Sequence, residues 1–242
     1  MVGRDVILIY HSVAGGCLSI PKANFEAQMN WLSYNAQVVT LDELITTPNK
    51  DRLRVVLSFD DGYSTLFDTV NPILKSYSFP AIVYLNTGLL GESERLFSSP
   101  ELGHYPGEHF LTWSEVGKLA RDDWQLGAHG VDHIDLTKCS AKEVIRQLVE
   151  CKAQIEEKIG FPCLHFSYTW GNYSNKVSAS VGLAGYFSAV AGLHGPVSQT
   201  SNRLALPRLD VRAEYELCDF INVVTGCWDF IGLKQILLRR RS

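Results

Sequence analysis

The sequence predicts an α/β protein with parallel strands, and three observations carry that reading. Short apolar runs, several rich in β-branched residues, recur along the chain; segments with helical spacing separate most of them; and acidic, histidine and glycine residues stand just beyond two of the runs. Val6 to Tyr10 is the first run, closed by Ser12 and Gly15-Gly16, which is the signature of a buried strand. Others lie at Arg54 to Phe59, Ala81 to Leu85, Trp124 to Ala128, Leu164 to Tyr168, Phe187 to Val190 and Leu204 to Val211.

The clearest helix covers about Ala141 to Ile159. Val144, Leu148, Cys151, Ile155 and Ile159 step by three or four along one face, Ser140 and Glu143 form a capping box, and Gly160 with Pro162 ends it. Thr112 with Glu115 makes a second capping box before Val116, Leu119 and Ala120, and Phe25, Met29 and Leu32 mark a helix near the N-terminus. Such one-faced helices cover a sheet or barrel. From Gly88 to Phe110 the periodicity disappears into Gly, Ser, Pro, Glu and His, which suits the rim of a site.

Composition limits the function classes. The chain has 242 residues, 46% of them hydrophobic, enough for a sizeable core and for one domain over residues 1–242. Lys plus Arg number 22 against 26 Asp plus Glu, so there is no broad basic field and nucleic acid is not an expected partner. No window reaches the roughly 18 apolar residues of a membrane span, and Asp5 interrupts the apolar start, so neither a transmembrane segment nor a signal peptide is expected and the assigned compartment is the cytoplasm. Cysteines at 17, 139, 151, 163, 218 and 227, with no C-x-x-C pair, read as buried thiols in a reducing compartment. At the end, Arg239 to Arg241 follow Ile236, Leu237 and Leu238, a small basic tail that either touches anionic lipid as a peripheral contact or is simply solvated. Oligomeric state is not readable.

Chemistry concentrates in two places. Ser58-Phe59-Asp60-Asp61-Gly62 sets two carboxylates at the C-terminal end of an apolar strand, where ligands gather in parallel α/β proteins. Alone it would be a solvated turn; where a strand breaks, however, neighbouring Asp side chains can converge on one site, one binding metal and the other handling protons. Gly127-Ala128-His129-Gly130-Val131-Asp132-His133 follows another strand with two imidazoles four residues apart. An isolated pair of this spacing is a structural pair as a rule. With an Asp-bearing strand end beside it, it makes a three-ligand site with open positions for water and substrate.

These residues resemble the NodB-type polysaccharide deacetylases of carbohydrate esterase family 4, whose first motif reads T-F-D-D-G and second H-S/T-x-x-H. The likeness extends to Ile7 to Val13, Val39 to Leu44, Leu111 to Trp113, Phe166 to Gly171 and Leu206 to Leu209. It implies a distorted (β/α) barrel of about seven strands that hydrolyses N-acetyl groups from amino sugars. By the same resemblance Asp60 is the general base, and Asp61, His129 and His133 hold a divalent metal, with zinc expected and iron, cobalt, nickel or manganese compatible. The family's usual acid is a histidine in a late L-x-x-H motif. Here Leu8-Ile9-Tyr10-His11 supplies that motif at the N-terminus, similar to the permuted subgroup acting on poly-N-acetylglucosamine, which makes His11 the acid and His194 its reserve.

Two motifs depart from the family. Gly130 stands where Ser or Thr is usual, removing a hydroxyl that would brace the histidine loop. In the third motif Ser167 replaces Arg and Thr169 replaces Pro, so the base needs another cation, and Arg208 is the candidate, against the alternative of a surface arginine paired with Asp210. Tyr168 and Trp170 are assigned as an aromatic wall for substrate, with Tyr173 in reserve. The expected function is metal-dependent N-deacetylation of an amino sugar in a polysaccharide, lipid-linked sugar or glycoconjugate precursor. Two alternatives are hydrolysis of a non-sugar amide or imide on the same fold, and a catalytically inactive glycan-binding relic, which the altered third motif suggests.

Overall fold

The computed structural model describes residues 3–16, 19–91, 103–105 and 107–232. Seven strands form one parallel path: β1 (Arg4–Tyr10), β3 (Leu53–Phe59), β4 (Ala81–Leu85), β5 (Trp124–Ala128), β6 (His165–Ser167), β7 (Ser188–Val190) and β8 (Leu209–Asp210). Their order is β7-β6-β5-β4-β3-β1-β8, and a two-residue β2 (Gln37–Val38) pairs beside the start of β3. The sheet curls into the distorted half-barrel expected of the NodB type.

Alternation along each strand separates two cores. Val6, Leu8 and Tyr10 belong with Val55, Leu57 and Phe59 to a large cluster that includes Phe25, Met29 and Leu32 of α1 (Lys22–Asn35) and Leu148 of α5 (Ala141–Ile159). Ile7, Val56, Ile82, Tyr84 and Val190 point the other way, into a smaller cluster with Leu41 and Leu44 of α2 (Leu41–Thr46). The first cluster lies under α1 and α5 and the second fills the concave side with α2 against it, as a period of two requires.

The expected strand over Leu204 to Val211 is cut to β8 because the segment changes partners. Leu206 N–H donates to Ala189 at 2.8 Å and its carbonyl accepts from Ala191 at 2.9 Å, then Val211 N–H donates to Ile9 at 3.2 Å. Pro207, with no N–H, sits at the switch. The segment thereby runs from β7 back to β1, and Arg208 lies within it.

The Thr112–Glu115 capping box is complete at α4 (Trp113–Arg121). The one expected at Ser140 is half made: Ser140 Oγ accepts from Glu143 N–H at 3.3 Å, while the Glu143 carboxylate is taken by Arg146 and Gln147. Helices α3 (Asn71–Tyr77), α6 (Asn175–Leu183) and α7 (Leu217–Thr225) complete the cover. The uniform reading of the cysteines is corrected: Cys151 and Cys163 are buried, Cys139 is half-buried, and Cys218 and Cys227 are exposed. Cys17 and the basic tail lie outside the described residues. Among the described residues no helix is long and apolar enough to cross a membrane.

Candidate active site

The site forms where the concave-side positions run off the C-terminal ends of the strands. His11 continues the parity of Ile7 and Ile9, Asp60 that of Val56 and Ser58, His129 that of Gly127, and Ser167 that of His165. Asp61 would point away, but its φ of 71° turns the chain, and Gly62 follows at 81°. His133 and Trp170 also hold positive φ, 53° and 61°. Of the six non-glycine residues in the left-handed region among the described residues, three therefore stand here, and such strain is sustained where surrounding contacts over-determine it.

Asp60 and Arg208 form a fully buried, two-pronged ion pair. Nη1 reaches Oδ1 and Nη2 reaches Oδ2, each at 2.7 Å. Ser167 Oγ accepts from Nη2 at 3.0 Å and donates to Asp60 Oδ2 at 3.1 Å. Burial alone would raise the Asp60 carboxyl, but the Arg208 charge, His129, the Arg208 hydrogen bonds and His11 together hold it well below the usual carboxylate range. The alternative of a surface arginine is excluded: Arg208 is buried, and Asp210 pairs instead with Arg212 at 3.0 Å.

Asp61, His129 and His133 converge beside this pair. Asp61 Oδ1 lies 3.4 Å from His129 Nε2 and 3.3 Å from His133 Nε2. All three residues are buried, and Asp61 Oδ1 accepts no hydrogen bond among the described residues. His129 Nδ1 donates to the Ser167 carbonyl at 2.8 Å, since a carbonyl can only accept, and this turns the Nε2 lone pair toward Asp61. Burial pushes His129 down to about 4, against the opposing charge of Asp60, so the ring is neutral at pH 7. One ligand atom from each of the three lies within 4.8 Å of the others, and the two Asp61 spacings match the roughly 3.0–3.4 Å between ligands held about 2.1 Å from one centre, so the set could hold a divalent ion.

The histidine loop is braced by a residue that the motif comparison does not reveal. Gln147, fully buried on α5, accepts from Val131 N–H at 2.7 Å and Asp132 N–H at 3.0 Å. Gly130 has a φ of 83°, and a Cβ there would come within 3.0 Å of Gln147 Oε1. The glycine thus makes room for an amide that replaces the missing hydroxyl. Ser167 is likewise unassigned from sequence; small where the family carries Arg, it accepts a hydrogen bond from Arg208, which comes in from the segment before β8.

The aromatic assignment divides. Trp170 is 49% exposed, and its ring centroid lies 5.5 Å from that of His133. Tyr168 is corrected: it is fully buried, its hydroxyl donates to the Leu204 carbonyl at 2.7 Å, and its ring packs on Phe166 and Tyr173, so it cannot meet a substrate. His11 is half-buried and lines a cavity of about 560 Å³ together with Asp60, Asp61, His133, Trp170 and Tyr105. His194 borders the same cavity but lies near Asp229 and the Trp228 backbone, whereas His11 is close enough to Asp60 to bear on its carboxyl.

With this geometry in view, comparison with known proteins places the chain. The family model for polysaccharide deacetylases matches residues 47–188, more than half of the sequence. The chain belongs to the polysaccharide deacetylase family. The matched span carries Asp60, Asp61, His129, His133 and Trp170, and it leaves His11 and Arg208 outside. Similar relatives include Bacillus subtilis (strain 168) YxkH, named provisionally as a polysaccharide deacetylase, 28% identical over 211 residues, which are 85% of this chain and 70% of that one. A Staphylococcus aureus (strain MSSA476) poly-β-1,6-N-acetyl-D-glucosamine N-deacetylase is 23% identical over 205 residues, 79% of this chain and 67% of its own. Among solved structures, the Streptococcus pyogenes deacetylase PplD in complex with acetate matches with a TM-score of 0.76 at 19% identity, covering 91% of this chain and 98% of that chain. IcaB from Ammonifex degensii matches at 0.75 and 18%, covering 95% and 99%. At these identities the structural likeness speaks for the fold.

Proposed function

We propose that this polysaccharide deacetylase family member is a metal-dependent hydrolase that removes N-acetyl groups from an amino sugar in a glycan or glycan precursor. The observation that carries the reading is Asp61 Oδ1, buried without a hydrogen bond among the described residues and facing two imidazole nitrogens at 3.3–3.4 Å. An N-acetylated sugar as substrate is supported by the relatives named as poly-β-1,6-N-acetyl-D-glucosamine N-deacetylases. Zinc is the metal we assign, by ligand type.

Asp61, His129 and His133 would hold the ion, which supplies Lewis acidity to the acetamide carbonyl and to the attacking water. Asp60, kept ionised by Arg208 and steadied by Ser167, accepts the water proton. His11 delivers a proton to the departing nitrogen, so that C–N cleavage releases acetate and a free amine. Trp170 flanks the acyl group or sugar ring. The Arg208 clamp on Asp60 removes the main motive for an inactive relic, because the altered third motif still has its cation.

The test measures acetate and free amine released from β-1,6-linked N-acetylglucosamine oligomers, with ureides and cyclic imides as rival substrates, before and after chelation. Acetate release that stops on chelation and returns with Zn²⁺ is expected. Turnover confined to the ureides or imides, or turnover indifferent to chelation, contradicts the reading.

A further inference from the structure

Residues 103–105 lie against Trp170, His133 and His11. A Cβ on Gly103 would lie 2.6 Å from the Trp170 ring, the His104 ring centroid is 5.0 Å from that of His133, and the Tyr105 ring centroid is 5.8 Å from that of His11. Tyr105 N–H donates to Tyr63 Oη at 2.9 Å, and Ser64 N–H donates to the His109 carbonyl at 2.9 Å, so this stretch is tied to the turn after Asp61. Its tie to the turn carrying His11 is Glu108.

Glu108 is 4% exposed, and no lysine or arginine among the described residues pairs with it. Its carboxylate accepts instead from the Ser12 hydroxyl and, at 2.7 Å, from Gly16 N–H; Ser12 Oγ also lies 3.0 Å from Thr65 Oγ1. A charge buried without a counter-ion is costly unless its acceptors are filled, and here two donors from the residues just after His11 fill them. Gly15 lies against the same carboxylate. Its backbone is outside the left-handed region, so conformation does not require glycine, yet a Cβ there would overlap the Glu108 carboxylate. The turn and the carboxylate are therefore in close contact at Gly15.

We propose that Glu108 is a positioning residue: seated against Gly15, it fixes the turn after β1 and thereby holds His11 at the angle from which it protonates the leaving amine. The inference rests on the reading of His11 as that proton donor, and the experiment separates the two. Glu108→Ala, Glu108→Gln, Gly15→Ala, the Gly15→Ala/Glu108→Ala double variant and His11→Ala are each assayed on an N-acetylglucosamine oligomer and on an aryl acetate ester, whose phenolate leaves without a proton. Metal content is measured alongside.

His11→Ala should lose on the order of 10²-fold on the amide and far less on the ester. Glu108→Ala should lose roughly tenfold in kcat on the amide, with KM and metal content held and the ester within about twofold. Glu108→Gln, whose amide can accept from Gly16 and donate to Ser12, should recover most of the loss. Gly15→Ala should reproduce the amide-selective loss in an intact carboxylate background and add nothing to Glu108→Ala, where the methyl has room. It also decides the matter should Glu108→Ala fail to fold. Amide and ester falling together in Glu108→Ala, no loss in it while His11→Ala splits the two substrates, or additive single effects overturns the proposal. Absence of a split in His11→Ala removes the proton-donor reading itself, and the proposal with it.

Discussion

Two clusters of acid, imidazole and hydroxyl stand at opposite ends of the same sheet, and only one is built for chemistry. At the N-terminal end, His165 Nδ1 lies 2.9 Å from Ser188 Oγ and its Nε2 lies 3.2 Å from Asp42 Oδ1, the order of a hydrolytic triad. Yet Ser188 is fully buried and does not line the cavity of about 310 Å³ that Asp42 and His165 border, and Gln125 donates to the other Asp42 oxygen at 2.7 Å. The hydrogen bond from His165 leads in holding Asp42 below its ordinary value, although burial opposes it. At the C-terminal mouth the residue types are nearly the same, but Asp61 Oδ1 is buried without a donor among the described residues and the group opens on a cavity of about 560 Å³. Residue kinds do not distinguish a site from a strut. An unfilled lone pair facing other lone pairs, beside space for a ligand, does.

The comparison can be broken from its largest effect downward. Asp61→Ala, His129→Ala or His133→Ala should cut deacetylation by roughly 10³-fold or more and lower bound metal in the same samples, as metal analysis would show. Asp60→Asn should retain metal while activity falls about 10²- to 10⁴-fold; metal lost from this variant would collapse the division between base and ligands. Arg208→Met leaves a buried carboxylate without its cation, at a cost of about 3–5 kcal/mol in denaturant unfolding, and should bring an acid limb into the pH profile as Asp60 returns toward the carboxylate range. Ser188→Ala, at the other end, should cost only about 1–3 kcal/mol and leave kcat unchanged. A large loss of kcat there would mean that the buried strut had been misjudged.

Acidity sharpens the contrast in a further way. His129 sits at about 4 in the folded chain against an ordinary 6.5, so as pH falls the unfolded chain takes up the proton first. The stability of the metal-free protein should therefore be complete, as far as this group goes, above pH 6.5 and drain away toward pH 4. His129→Gln should flatten that part of the curve, measured by denaturant midpoints across the range.

Much of the fold was readable because strands buried on both faces leave continuous apolar runs. Val6 to Tyr10 and Ala81 to Leu85 needed little else, and Ala81 to Leu85 and Trp124 to Ala128, the latter despite Gln125, match the observed strands residue for residue. The segment over Leu204 to Val211 misled because its apolar run is shared between two partners, which no local pattern reveals. In the site, Asp60, Asp61, His129 and His133 announce themselves as motifs, and Arg208 was found by asking what could replace an absent cation. Tyr168 was misassigned since an aromatic beside a site and an aromatic beneath it look alike in sequence. Ser167, Gln147 and Glu108 stayed hidden because their roles come from long-range contacts: Gln147 reaches the histidine loop across 16 residues, and Glu108 reaches Ser12 across 96.

The most direct test is anomalous diffraction from crystals soaked in zinc. The account predicts one strong peak about 2.0–2.2 Å from Asp61 Oδ1, His129 Nε2 and His133 Nε2 alike, with Asp60 still clamped by Arg208. A peak elsewhere, or none at these three atoms in zinc-saturated crystals, would contradict it.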